Sequence, residues 1–462
     1  MTSPIDPAPI PQTVKLRDTL YYSLGNAAGL MTYNVFNTFL IFFYTDVVRL
    51  PAAWVGAGWL AFGFWNAVND PIAGWLSDRT QSQFGRRRFF IRALAIPVSL
   101  TFALVWLPPL DVDTHGATAV MIYFLVIISI YDILQSIITL NQDAIFPEMY
   151  QEHAQRTRAA TIRQVAGGIS TAVALGASPA IYDTFGWGAL ALTWGSIAAM
   201  LHLLSLRGIK ENPAFAEAEE NPSIIQQLRL LSENRIFRIV VGINFVTRFI
   251  LATLTLSLPF YAEYVLEIEQ GQSSFLIIAV TAAGLVSLLF WQQAFRRIGT
   301  RRAMLYSLAV ACVVAMPMFF ITSLVPALIA LLILGLVVGG IFFLGPDLLF
   351  AETIDEDFTR TGVRREGIYR GVLGFVFRLP PALAGFILLN SLDLAGFDAD
   401  LGVGAQPDLV PVIIQGFIVI GCVGAALAGL ALLSAYPLHG ERLARIQQEA
   451  EALRTRVNRA KA

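Results

Sequence analysis

The chain has 462 residues, of which 56% are hydrophobic and 14% charged, with a formal net charge of −1. Soluble globular proteins carry about 25% charged residues, so the composition excludes an ordinary soluble domain and gives no argument for a nucleic-acid or acidic partner. The two cysteines, Cys312 and Cys422, both fall inside apolar runs and exclude a disulfide framework.

The chain opens on the Pro-rich segment TSPIDPAPIPQ, read as part of a disordered cytoplasmic tail over residues 1–18. Twelve apolar runs follow, at 19–48, 52–77, 89–109, 118–142, 159–183, 187–207, 237–265, 272–295, 303–323, 325–352, 367–391 and 409–436. Each is close to the ~20 residues that cross a bilayer. The first is too long and too internal for a cleaved signal peptide. Six runs form an N-terminal bundle (19–207) and six a C-terminal bundle (237–436). Between them lies a polar linker, 208–236, whose acidic stretch is solvated and whose IIQQLRLL reads as an amphipathic helix on the membrane face. Residues 437–462 are expected to be a cytoplasmic amphipathic helix. FGRRRFFI (84–91), between runs two and three, is echoed by RRIGTRRAML (296–305), between runs eight and nine. The reading is an all-α membrane protein of twelve transmembrane helices in two pseudo-symmetric six-helix bundles, an internal duplication shared by many secondary transporters.

Charge sets the orientation. With the N-terminus cytoplasmic, 28 of the 32 Lys and Arg residues lie in cytoplasmic segments or at their membrane edges, three (Arg163, Arg248, Arg378) lie within runs, and one (Arg49) is outside. The positive-inside rule therefore places both termini in the cytoplasm of a cytoplasmic (inner) membrane. His115, His153, His202 and His439 are scattered, with no metal or nucleophile constellation. No Walker-type phosphate loop is present, which argues against an ATP-driven pump.

Two acids sit deep in apolar runs. Asp70 follows Asn66 by four residues, and Asp132 precedes Ser136 by four, so each pair shares a helix face. An acid at that depth normally faces a cavity, pairs, or serves an ion pathway.

Four stretches carry a family likeness: FYTDVVRL (43–50), NDPIAGWLSDRTQSQFGRRR (69–88), FPEMYQEHAQRTRAATIRQVAGG (146–168), and AETIDED with GVRREGIYRGVLGFVFRLPPALAG (351–385). On these the chain resembles the major facilitator superfamily, and within it the glycoside–pentoside–hexuronide:cation symporters related to melibiose permease. The resemblance implies the superfamily fold in a monomer. It implies movement of a sugar, glycoside or related solute by alternating access, coupled to H+ or Na+, with no other cofactor.

It also implies residue roles. The family holds its cation with two helix-two aspartates, an Asn between them and a helix-four hydroxyl; here these positions are Asn66, Asp70, Asn69 and Ser136. The first acid is therefore missing, and Asp132 is a substitute acid near mid-membrane, to be weighed against a structural pair with a buried arginine. Asp70 or Asp132 is the expected proton carrier of a proton-coupled version. The family's sugar-binding acid aligns with Thr139, its aromatic partner with Asp143, its helix-five Arg with Arg163 and its helix-eleven Lys with Arg378. Further polar candidates for the solute are Tyr33, Asn34, Asn37, Gln135, Asn244, Arg248 and Asp347, each also readable as a helix–helix hydrogen bond. Gating charges at the cytoplasmic ends are Asp78, Arg79, Arg86, Arg87, Arg88, Glu148 and Arg158 in one half, and Glu352, Asp355, Arg364, Arg365 and Glu366 in the other. Such pairs bias an access equilibrium by stabilising one closed state, or are solvated pairs of little energetic weight. A lysolipid carrier using Arg163 and Arg378 for a phosphate, and an uncoupled uniporter, remain alternatives.

Overall fold

Apolar runs of this length satisfy their backbone groups in lipid only as helices, and helices are what the chain forms. The computed structural model describes residues 14–79, 85–150, 152–211, 234–362 and 366–461, apart from the side chains of residues 70–72, 74–79, 86, 153, 154, 270, 341, 343, 366–368 and 454–461. The helices are α1 (Leu16–Phe42), extended by a π-helical turn (Phe43–Val47), α2 (Ala52–Arg79), α3 (Arg86–Trp106), α4 (Ala117–Met149), α5 (His153–Phe185) and α6 (Trp187–Ser205). The second half holds α7 (Arg235–Tyr264), α8 (Ser273–Ile298), α9 (Thr300–Ala315), α10 (Leu324–Phe343), α11 (Gly345–Thr361), α12 (Glu366–Val376), α13 (Leu379–Leu394), α14 (Leu409–Ser434) and α15 (Gly440–Lys461). Among the described residues, eleven helical stretches are long and apolar enough to cross a membrane. The remaining predicted run is α2, 28 residues long.

Two runs expected to be continuous are broken. The tenth divides into α10 and α11 at Leu344, and the eleventh into α12 and α13 at Phe377–Arg378. Each new helix carries proline in its first turn, Pro346 in α11 and Pro380 in α13. Proline lacks an N–H and clashes with the preceding turn, so it is accepted there and not in a helix interior.

The chain forms two compact units. The first comprises residues up to Phe36, Val68–Pro109 and Tyr123–Glu220; the second comprises Asn37–Ala67, Leu110–Ile122 and the chain from Asn221. In the first, Tyr131 packs against Phe36 and Phe102, with ring centroids 5.0 and 5.7 Å apart. In the second, the hairpin joining α1 and α2 is fastened to α7 and α13. Phe42 meets Phe260 edge-on at 5.2 Å, the Trp59 indole donates to the Pro381 carbonyl at 2.9 Å, and the Tyr264 hydroxyl donates to Asp46 of the FYTDV turn.

Small residues set the closest helix approach. On α10, a Cβ added at Gly339 would stand 2.5 Å from the Gly284 carbonyl oxygen and 2.0 Å from Ser287 Oγ of α8. The backbone cannot yield there as a side chain would. Gly339→Val is expected to lower stability by about 1–3 kcal/mol through overpacking, seen as a lower midpoint in thermal unfolding of the detergent-solubilised protein. An unchanged midpoint would show that α8 and α10 separate freely.

The echoed loops fold alike. Gly85 and Gly299 precede α3 and α9 with φ of 95° and 82° and ψ of 155° and 158°, a region L-residues with a Cβ rarely adopt. Arg88 then donates to the Leu206 carbonyl at 3.3 Å, and Arg301 to those of Leu433 and Ser434 at 2.8 and 2.9 Å. In each half an arginine thus satisfies the orphan carbonyls at the end of the last spanning helix.

Candidate transport site

The buried Asn69 of α2 joins two residues of α4. Its Nδ2 donates to the Asp132 carboxylate, and its Oδ1 accepts from the Ser136 hydroxyl at 3.2 Å. Asn69 is 0% and Asp132 9% exposed, so the amide supplies the donor a buried carboxylate requires. The structure therefore brings together Asn69, Asp132 and Ser136. Asp70 follows on α2, but its side chain lies outside the described residues; Asn66 is buried on the same helix and belongs to the second unit.

A second constellation is built on Arg163 of α5. Its Nη2 meets the Asp143 carboxylate in an ion pair, its Nε donates to Asn26 Oδ1 at 3.0 Å, and its own carbonyl accepts from Asn26 Nδ2 at 3.2 Å. The Phe146 ring lies 5.8 Å from the guanidinium. Two of these partners lay outside the sequence-derived site. Asn26 was legible only as a lone amide in the apolar run of α1. Asp143 was placed by alignment, where the family carries an aromatic residue. Thr139, one turn before Asp143 on α4, accepts from Gln135 at 3.2 Å, and the Oε1 of Gln135 is buried without a hydrogen-bond partner. Asn34 donates to the Leu30 carbonyl and to Thr171, a helix–helix hydrogen bond, and Tyr33 is exposed.

In the second unit, the Arg248 guanidinium lies 3.6 Å from the Phe377 ring centroid and 5.4 Å from that of Phe342. Arg378 follows Phe377 in the break between α12 and α13. Asp347 is exposed in the first turn of α11, Asn37 is half-buried, and Asn244 is buried and donates to the Val240 carbonyl at 2.9 Å.

Where α3 begins and α4 ends, Arg87 Nη1 stands 3.2 Å from Glu148 Oε1 in an ion pair. Glu211, another residue the sequence did not single out, accepts from the backbone N–H of Arg87 at 3.1 Å and from that of Arg88, so its carboxylate caps α3. Glu352 is buried and accepts from Thr300 at 2.6 Å and from Tyr436 at 2.9 Å. Arg158 is exposed and Asp355 half-buried. Arg364 and Arg365, and the side chains of Asp78, Arg79, Arg86 and Glu366, lie outside the described residues.

Long apolar helices, with ionisable groups placed within spans, mark a multi-pass membrane protein. The chain belongs to the MFS/sugar transport protein family, whose model matches residues 21–440. It is 24% identical to the isoprimeverose transporter of Lactiplantibacillus pentosus, over 89% of this chain and 87% of that one. It is 25% identical to the glucuronide carrier protein homolog of Escherichia coli (strain K12), over 95% and 96%. The crystal structure of the nucleoside transporter NupG shares the fold with a TM-score of 0.67 at 11% identity, covering 92% of this chain and all of that one.

Proposed function

We propose that this carrier moves a sugar, glycoside or related polar solute by alternating access, in symport with a proton bound at Asp132. Both termini are assigned to the cytoplasm, on the distribution of basic residues. The solute class is supported by the family and by relatives named for isoprimeverose and glucuronide.

The coupling ion rests on one observation, the Asn69 amide shared between Asp132 and Ser136. Sodium favours several hard oxygen ligands. Here the Asn69 oxygen already accepts from Ser136, and its nitrogen faces the acid. Asn66 supplies an amide where the family supplies a carboxylate. A carboxylate accepts at several lone pairs, so accepting from the Asn69 N–H is compatible with binding a proton at Asp132. Arg163, clamped by Asp143 and Asn26, is the first half's solute contact, with donors and acceptors grouped at one spot.

Purified protein in proteoliposomes, offered labelled glycosides, pentoses and uronates under separately imposed proton and sodium gradients, tests this. Accumulation driven by the proton gradient alone is expected. Accumulation driven by sodium alone would overturn the ion assignment, and lysolipid movement without sugar uptake would overturn the solute.

A further inference from the structure

The second unit carries an apolar groove on its lipid-facing side. α13 and α14 each pack along α7 but touch each other little, and the gap between them is a groove of about 620 Å³. Phe245 and Phe249 of α7, with near-parallel rings 6.4 Å apart, form its floor. Leu383, Ile387 and Ser391 line it from α13. The α14 wall is hollow because its residues are small: Gly416, Gly424 and Ala428 fall in a row spaced by four along one side of the helix. A Cβ added at Gly424 would meet nothing within 4 Å. Ile420, in the same row, is 74% exposed, so the groove opens to the surroundings and not into the unit's interior. Those surroundings are hydrocarbon, since all three helices lie in stretches long and apolar enough to cross a membrane.

The groove's dimensions select its occupant. Its α14 wall runs from Val412 to Ala428, about 24 Å at 1.5 Å per residue. Spread over that length, the volume gives a cross-section of about 26 Å², a channel about 6 Å wide. A helix with its side chains is ~10–12 Å across, so a helix of a second copy does not enter, whereas one unbranched hydrocarbon chain does. One leaflet of the bilayer core is about 15 Å deep, so a chain entering at the rim stays in the groove through its whole leaflet. Left empty, the lining would forfeit its dispersion contacts on that side. Of the described residues that line the groove, only Ser391 carries a polar side chain, and it stands near the end where α13 stops and α14 starts. That end is also acidic. Asp393 in the last turn of α13 and Asp408 just before α14 are exposed. Residues 379–438 hold four aspartates and no lysine or arginine, and one of the four, Asp400, pairs with Arg49 at 2.6 Å. An acidic rim repels an anionic headgroup and attracts an ammonium.

We propose that this groove is a lipid site. One acyl chain of a phospholipid lies between α13 and α14, and its headgroup, which bears an ammonium and no net charge, sits at Asp393 and Asp408. The lipid is a bound partner, and the site is independent of which solute is carried.

The test is photo-crosslinking of the full chain in vesicles of mixed phosphatidylethanolamine and phosphatidylglycerol. A trace of either lipid carries a diazirine on one acyl chain, and the labelled residues are mapped by peptide mass spectrometry. Label is expected to concentrate on the groove residues of α7, α13 and α14. It should be about two- to fivefold stronger from the ethanolamine probe, the scale of exposed charge pairs. Gly424→Leu and Ala428→Leu each fill the groove from its hollow wall and are expected to lower that label about tenfold, with label elsewhere on the lipid-facing surface retained. The Asp393→Asn, Asp408→Asn double variant is expected to lose the headgroup preference and keep the chain label. Gel filtration and circular dichroism of each variant separate loss of the site from loss of fold. Label spread evenly over the exposed apolar residues of all helices, or groove label unchanged in both Leu variants, overturns the site. A preference for the glycerol probe, or one that survives the double Asn variant, overturns the headgroup assignment. Cross-links between two copies at α14 in place of lipid label overturn the lipid and make the groove an interface between copies.

Discussion

The Asp132→Asn protein is expected to exchange labelled solute across a proteoliposome membrane at equilibrium, yet to accumulate none against a gradient when a proton gradient is imposed. The substitution is nearly isosteric, and its new amide oxygen accepts from Asn69 Nδ2 where the carboxylate did. The Ser136 hydroxyl keeps its acceptor on Asn69. Packing is thus preserved while the protonatable group is removed. For one proton per solute, each pH unit is worth about 1.4 kcal/mol, or roughly tenfold accumulation at equilibrium. The variant should show that driven ratio collapse to one. Asp70→Asn is the companion experiment, since it removes the acid the family uses. If Asp132→Asn accumulates normally and Asp70→Asn does not, the coupling proton is carried on α2. If both accumulate normally, neither acid is the carrier.

Much of the scaffold was legible because lipid leaves so few options. Runs of about 20 apolar residues must be helices, and eleven helical stretches and α2 coincide with the twelve runs. The loops Gly85–Arg88 and Gly299–Arg302 were legible as a repeat because the motif is local, and their matching positive φ follows from glycine. The helix breaks were not. Pro346 and the pair Pro380–Pro381 are breaker signals, but each lies within an apolar run long enough to read as one span. The partners of Arg163 were also hidden. Asn26 lies 137 residues away on another helix and Asp143 lies 20 away, and an alignment assigned the acid's position to an aromatic role. Asp132 was visible as an anomalous acid, but that Asn69 donates to it depends on how α2 and α4 rotate against each other, which a single sequence does not encode.

The Arg87–Glu148 pair should be a costly contact to break singly. The Arg87 and Glu148 side chains are 14% and 8% exposed, so removing one partner takes this counter-charge from the other in a poorly solvated place. For a buried pair that costs about 3–5 kcal/mol. Arg87→Gln or Glu148→Gln alone should lower the thermal midpoint sharply, and the double variant should recover most of the loss, since it removes both charges of the pair together. The repeat in the other half supplies the contrast. Glu352 occupies the position equivalent to Glu148, but its partners are the hydroxyls of Thr300 and Tyr436. A glutamine there still accepts from one hydroxyl and donates to the other, so Glu352→Gln should cost no more than a neutral hydrogen bond, about 0.5–1.5 kcal/mol. Equal losses at both positions, or a double variant no better than the worse single one, would mean that the ion pair is not what sets this end of the first half apart. A difference of the expected size would show that duplication kept the acid and changed its partner, leaving one half fastened by charge and the other by hydroxyls. Only the charged fastening then depends on a counter-ion that a substitution or a competing charge can remove.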